Sequence, residues 1–128
     1  KAALQLMAPL PIDFDSTLAC YADMVKAMGD APSHVTANIT RAQAMKDATM
    51  AHFILKNFSK GKTFLHYNGT YHSDRFQSII WYLLKADPTL KIVTLSSVEQ
   101  AGVDELEKES EGLGTYILAI PKSMSKSQ

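Results

Sequence analysis

The order of apolar patterns between residues 63 and 95 restricts the fold of this chain most. Residues 63–67 and 91–95 are rich in β-branched and aromatic side chains, which is typical of short strands, and Asn68-Gly69 ends the first of them. Residues 74–86, which lie between the two runs, carry a broad apolar stripe at helical spacing. A strand, a helix and a second strand in this order predict a right-handed βαβ unit with parallel strands.

Two further helices and one further strand complete the predicted architecture. Apolar residues recur at helical spacing over residues 14–28, where Asp13 or Asp15 is placed to cap the helix. A longer helix is predicted over residues 36–58, and a last strand over residues 115–120. The sequence therefore predicts a small α/β fold with a mostly parallel sheet flanked by helices.

Length, charge and cysteine content exclude several classes of protein. The 128 residues, of which 46% are hydrophobic, suit a single unit with its own core. Thirteen basic and thirteen acidic side chains cancel to a formal charge of zero, which argues against binding of nucleic acid. No stretch approaches the roughly 18 continuous apolar residues of a transmembrane helix, so no transmembrane segment is expected. The single cysteine, Cys20, lies in a helical pattern and is expected to be a half-buried or buried structural thiol.

Most of the chemistry that the sequence offers lies between His66 and His72. Open α/β sheets bind ligands beyond the carboxyl ends of their strands, and this stretch follows a predicted strand. Its two imidazoles, two phenols and one amide suit a metal ion or haem. The candidate binding residues of this stretch are His66, Tyr67, Asn68, Gly69, Tyr71 and His72.

The geometry expected of this stretch depends on Gly69. A positive φ angle at Gly69 would turn the chain sharply and aim His72 back over the end of the strand. In the structural alternative, His72 and Ser73 merely cap the following helix while the tyrosines pack on the sheet. His66 is as readily a hydrogen-bonded core residue as a ligand.

A second polar feature lies on the long helix. Gln43, Asp47, Met50 and Ile54 follow one another at helical spacing and share a stripe that is expected to face the sheet. A carboxylate on such a stripe is costly unless it is paired, so Asp47 should meet a histidine or a metal ion. We therefore predict a hydrogen bond between Asp47 and His72, either direct or through one water. The alternative is that Asp47 lies at the edge of the stripe and is solvated.

Two segments of the chain resemble the second half of ChaN-like haem-binding proteins. One is the Ala-Gln-x-x-x-Asp-x-x-Met-Ala pattern of residues 42–51, and the other is the Asn-Gly-x-x-His pattern within residues 65–72. Residues 9–12 and Ile120-Pro121 are also similar to the flanking segments of that family. Either motif alone would be weak, and it is their combination that makes the resemblance specific.

The resemblance implies both a fold and a ligand. Members of the wider Tiki superfamily are α/β domains made of two related halves, each with a Gly-x-x-His loop. Only the second loop is present in residues 1–128, so the chain is expected to be the C-terminal half of such a domain. ChaN-like proteins bind haem between two subunits through tyrosine and histidine. This implies haem, or another small-molecule ligand, held by His72 together with Tyr71 or Tyr67, with Gln43 and Asp47 beside it.

The family setting also implies a location and an alternative chemistry. A ChaN-like protein is an iron-regulated lipoprotein, which implies the bacterial cell envelope, a role in iron or haem uptake, and a homodimer. The alternative is a metal-dependent hydrolase like other Tiki-superfamily members, in which His66 or His72 binds a divalent metal ion that activates water and Asp47 orients it or acts as a base. A third interpretation is a fragment without activity of its own.

Overall fold

The computed structural model describes residues 3–124, so the ends of the predicted unit, residues 1–2 and 125–128, lie outside the described part. Its helices are α1 (Ala19–Ala27), α2 (Ser33–Asn57) and α3 (Ile79–Ala86), and its strands are β1 (Leu95–Gln100) and β2 (Tyr116–Pro121). Short 3-10 helices lie at Ala3–Leu6, Thr70–His72, Asp74–Phe76 and Lys108–Ser110. The two strands pair in parallel, with Leu95 opposite Tyr116. The predicted α/β class is confirmed.

The main apolar core lies between α2 and α3. Ile79, Ile80 and Leu83 of α3 are buried against Ala51 of α2, where the small alanine side chain lets the two helices approach closely. Met50 and Ile54 flank this core and are partly buried. Their inward orientation was predicted correctly, although they pack on α3 and its surroundings rather than on a sheet.

The first two helices differ in how well their starts were predicted. The start expected at residue 14 is wrong, because α1 begins at Ala19. The Asp15 carboxylate accepts hydrogen bonds from the backbone N–H and the hydroxyl of Thr17, at 2.9 and 2.6 Å, and so stabilises a local turn instead of capping a helix. The long helix α2 is confirmed, and it begins at Ser33, directly after Pro32.

The third predicted helix, residues 74–86, is interrupted. Asp74–Phe76 form a separate 3-10 turn, and α3 begins only at Ile79. Arg75, Phe76 and Ser78 have φ angles of 55, 59 and 54°, which no α-helix contains. A contact that is distant in sequence accompanies this break. The Arg75 N–H donates to the carbonyl of Leu113 at 2.9 Å.

The predicted strand at residues 63–67, and with it the βαβ unit, is wrong. This segment belongs to no sheet, and its side chains are exposed. Its β-rich composition provides suitable side chains, but a strand also needs a hydrogen-bonded neighbour, which composition does not specify. The parallel pair is instead formed by β1 and β2, whose connection contains a 3-10 turn and no α-helix.

Of the other two predicted strands, one is shifted along the chain and one is confirmed. The strand predicted at residues 91–95 lies further along the chain, at Leu95–Gln100, because its register is set by pairing with β2. The strand predicted at residues 115–120 is confirmed as Tyr116–Pro121. Within residues 3–124, no helix has both the length and the apolar character needed to cross a membrane.

The small sheet has an unusual distribution of side chains. Ser96 and Gln100 of β1 face inward and are buried, together with Thr94 just before the strand. The opposite face presents Leu95 and Tyr116, which are 65% and 62% exposed. The inner face of the sheet is therefore held by hydrogen bonds more than by apolar packing.

Gly114 lies against this polar inner face, and we expect its replacement by alanine to destabilise the fold. A Cβ atom there would lie 2.9 Å from Thr94 Oγ1 and 3.1 Å from Ser96 Oγ, so both hydroxyl groups would have to move. Gly114→Ala should lower the free energy of unfolding by about 1–3 kcal/mol, as measured by urea denaturation. Gly102→Ala is the matched control, since a Cβ at Gly102 meets nothing within 4 Å. Equal effects of the two substitutions would contradict this account of Gly114.

Candidate functional site

A buried carboxylate and a loop histidine form the centre of the site. Asp47 lies on the inner side of α2 with 0% of its surface exposed, and its Oδ1 atom is 2.5 Å from Nδ1 of His72. The hydrogen bond predicted between these two residues is therefore present. Because an ionised carboxylate can only accept, Nδ1 of the ring carries a proton, and in the neutral form of the imidazole Nε2 keeps its lone pair. The imidazole is 21% exposed, so one part of it reaches the surface.

Tyr21, on α1, completes the hydrogen bonding of the carboxylate. Its hydroxyl donates to Asp47 Oδ2 at 2.8 Å, and the residue is 1% exposed. The ring of Phe14 packs against it with ring centroids 5.5 Å apart. Each oxygen of Asp47 thus has its own donor, which offsets the cost of burying a charge.

Burial and hydrogen bonding act in opposite directions on this group of residues. Burial raises the pKa of the Asp47 carboxyl, while the hydrogen bonds from His72 and Tyr21 and the positive charge of a protonated His72 lower it. The pKa of Tyr21 is raised, first by burial and then by the negative charge of Asp47. Tyr21 therefore remains a neutral phenol that donates its proton to the carboxylate.

Gln43 lies one helical turn before Asp47 and contacts the same imidazole. Its side-chain nitrogen is 2.8 Å from Nδ1 and 3.3 Å from Nε2 of His72. Because the amide nitrogen is close to both ring nitrogens, it lies against the face of the ring and not in line with the lone pair of either one. The shared stripe of Gln43 and Asp47 on α2 thus brings both residues to His72.

The loop that carries His72 is shaped by a 3-10 turn. The His72 N–H donates to the Gly69 carbonyl at 2.9 Å, and the Asn68 side-chain amide donates to the same carbonyl at 2.7 Å and to Ser73 Oγ at 3.1 Å. Gly69 has a φ angle of −63°, so the positive φ expected there is wrong. The turn needs no left-handed residue, because the change of direction is spread over residues 70–72.

Hydrogen bonds also tie this loop to α1. The Tyr71 hydroxyl donates to the carbonyl of Cys20 at 2.6 Å, and the Cys20 N–H donates to Oε1 of Gln77 at 2.7 Å. Burial raises the pKa of the Cys20 thiol, which keeps it protonated and unreactive near neutral pH. Cys20 is half-buried, as predicted.

On its other side the loop is tied to the strands. The Ser96 hydroxyl of β1 donates to Asp74 Oδ1 at 3.0 Å, next to the hydrogen bond between Arg75 and Leu113. Burial raises the pKa of Asp74, and the hydrogen bond from Ser96 opposes this. His72 is therefore held between a helical side and a strand side of the fold.

Two of the candidate residues lie apart from these contacts. Tyr67 is 85% exposed, and His66 is also exposed. Partial burial lowers the pKa of His66, and a positive charge on His72 lowers it further. Among the side chains of residues 3–124, no group of three or more His, Cys, Asp or Glu is arranged to hold a metal ion.

Tyr21 is the residue that sequence reasoning missed. It lies three residues after Leu18 and four before Val25, in a row of otherwise apolar positions of α1. A phenol in such a row is expected to be buried and to need a hydrogen-bond partner. This signal could have linked Tyr21 to the unpaired carboxylate expected at Asp47.

A small α/β fold in which a buried carboxylate holds a loop histidine thus defines the candidate site. A family model described as haem-binding uptake, Tiki superfamily, ChaN matches residues 1–83 of the chain, so the chain belongs to this family. The match includes α1, α2 and the His72 loop, whereas Ile120-Pro121 lies beyond it. No curated protein and no solved structure matches the chain significantly.

Proposed function

We propose that this protein binds haem through Nε2 of His72 and serves haem or iron uptake in the bacterial cell envelope. The contact between Asp47 and His72 carries the proposal, because histidines that ligate metals usually donate their second ring N–H to a carboxylate or carbonyl. Such a partner fixes the ring orientation and makes the free nitrogen a better donor to iron. Membership of a haem-binding family supports the choice of haem as the ligand.

Exposed apolar side chains close to His72 in the sequence offer a surface to a porphyrin. Phe64, Leu65, Tyr67 and Phe76, near His72 in sequence, are exposed apolar or aromatic side chains that the apolar face of a porphyrin would cover. Tyr71 already donates to Cys20, whereas Tyr67 is 85% exposed and so is the phenol more open to a ligand. The donor set of one imidazole with two nearby phenols is one that haem iron accepts.

The roles of the individual residues follow from these contacts. Bound haem would supply an iron atom with an axial position for an imidazole nitrogen. Asp47 holds the proton on Nδ1, and Tyr71 fixes the loop on α1. Gln43 contacts the same ring through its side-chain amide and so helps to fix the orientation of the imidazole.

Titration with ferric protoporphyrin tests the proposal. We expect a Soret band that differs from that of free haem and saturates with protein concentration. Metal-free protoporphyrin is the control, because it offers the same apolar face without the iron that takes an axial ligand. A spectrum that remains that of free haem, or equal binding of both porphyrins, would remove His72 as an iron ligand. Size-exclusion chromatography of the loaded protein shows whether haem joins two copies, as the family resemblance implies.

A metal-dependent hydrolase is the second candidate, and the electrostatic influence of His72 on His66 favours it. The two imidazoles are close enough for the charge of one to lower the pKa of the other. A divalent ion on these rings could activate water, with Asp47 orienting His72. Elemental analysis of the purified protein separates the candidates, since a hydrolase of this kind retains a stoichiometric divalent ion and gives no Soret band with haem.

A further inference from the structure

We infer that Tyr21 is a positioning residue for His72, whose hydroxyl fixes the Asp47 carboxylate and sets how strongly that carboxylate accepts the Nδ1 proton. This inference deepens the proposed haem site and rests on it for the effect on iron. The effect on the imidazole itself follows from the hydrogen bonds alone.

The hydrogen bonds of Asp47 leave its carboxylate little freedom. Oδ1 accepts from His72 at 2.5 Å and Oδ2 accepts from Tyr21 at 2.8 Å, and Asp47 is fully buried. Within residues 3–124, these two are the hydrogen bonds that the carboxylate accepts, and no buried polar side-chain atom lacks a partner. Tyr21 is therefore the second of two donors that hold the plane of the carboxylate.

Tyr21 is itself held firmly. It is buried on α1, its ring packs on Phe14, and burial together with the charge of Asp47 raises its pKa so that it stays a donor. A buried and neutral phenol cannot exchange its partner for water. Its hydroxyl is therefore a constant part of the environment of Asp47.

The second donor also changes the strength of the first hydrogen bond. A phenol that donates to Oδ2 withdraws negative charge from the carboxylate and makes Oδ1 a weaker acceptor for the Nδ1 proton. Without it, the carboxylate would accept more strongly, and the imidazole would become more electron-rich. An iron atom bound to a more electron-rich imidazole is harder to reduce.

Two changes at position 21 that act in opposite directions test the inference. Tyr21→Phe removes the donor, whereas Tyr21→3-fluorotyrosine, introduced at this site alone, makes the phenol more acidic and a stronger donor. The first readout is NMR of the protein without haem, where the Nδ1 proton of His72 is expected further downfield in Tyr21→Phe and further upfield in the fluorinated protein. The second is the midpoint potential of the haem complex, expected lower in Tyr21→Phe and higher in the fluorinated protein.

Tyr116→Phe is the matched control, because it removes a phenol hydroxyl from the exposed face of the sheet. Tyr116→Phe should move neither the proton resonance of His72 nor the midpoint potential.

The outcomes separate the inference from a merely structural role of Tyr21. Such a role would lower stability without shifts of opposite sign in the two variants, and an unmoved His72 resonance in both variants would overturn the inference. If Tyr21→Phe does not fold, the fluorinated protein decides alone, because fluorine barely changes the size of the ring. If the wild type binds no haem, the proposed function fails while the NMR shifts still decide the role of Tyr21.

Discussion

Replacing His72 with alanine should abolish saturable haem binding and leave a folded protein. The imidazole Nε2 is the proposed ligand of the iron, so the loss of affinity should exceed the roughly 10–100-fold that follows removal of the hydrogen-bond partner of a metal-ligating side chain. The loop should keep its place, because Tyr71 holds it on α1 and Asp74 holds it on β1. The substitution leaves Asp47 Oδ1 without its donor, which should cost about 1–3 kcal/mol of stability.

Titration at the Soret band measures the affinity, and circular dichroism verifies the fold. His34→Ala is the matched control, because His34 is an exposed histidine in the first turn of α2 and should keep the wild-type affinity. An unchanged affinity of His72→Ala for ferric protoporphyrin would remove the loop of residues 69–72 from the site.

Replacing Asp47 with alanine should cause the largest loss of stability of any substitution proposed for this chain. It leaves the Tyr21 hydroxyl and the Nδ1 proton of His72 without their acceptor, and it opens a gap in a fully buried position. A buried donor that loses its acceptor typically costs about 1–3 kcal/mol, so the loss of both hydrogen bonds should lower the free energy of unfolding by about 2–6 kcal/mol. Asp47→Asn keeps the shape and an acceptor oxygen, so it should be milder in stability and weaken haem binding by roughly 10–100-fold.

Asp23→Ala is the control for Asp47→Ala. Asp23 forms an ion pair with Lys26 at 3.0 Å, but both side chains are largely exposed, so its removal should cost about 0–1 kcal/mol. Urea denaturation of the three variants gives the comparison. Similar losses for Asp47→Ala and Asp23→Ala would show that the buried hydrogen bonds contribute little to the fold.

The part of the site on α2 could be predicted because its pattern is local. The helical spacing of Gln43, Asp47 and Met50 specifies one face of a helix, and a carboxylate on that face requires a partner. The contact with His72 followed from this requirement. The reason given for the location of His72, the end of a strand at residues 63–67, was wrong, since the loop is instead held by contacts with α1 and β1.

The remaining errors concern contacts that are distant in sequence. The break before α3 accompanies hydrogen bonds from Arg75 to Leu113 and from Ser96 to Asp74, which no window of the sequence reveals. Strand pairing is equally non-local, so the β-rich residues 63–67 could not be distinguished from a paired strand by composition. Tyr21 contacts a carboxylate 26 residues away, and only its own position in an apolar row hinted at a partner.

The loop around His72 also affects how cooperatively the chain unfolds on heating. Its earlier residues, Tyr71 and His72, bond to the helices, and its later residues, Asp74 and Arg75, bond to the strand region. Neither part can separate from the other without breaking these bonds, so the loop makes their unfolding cooperative. By mass action, a ligand on His72 favours the folded loop and thereby raises the melting temperature of the strand pair, which it need not touch.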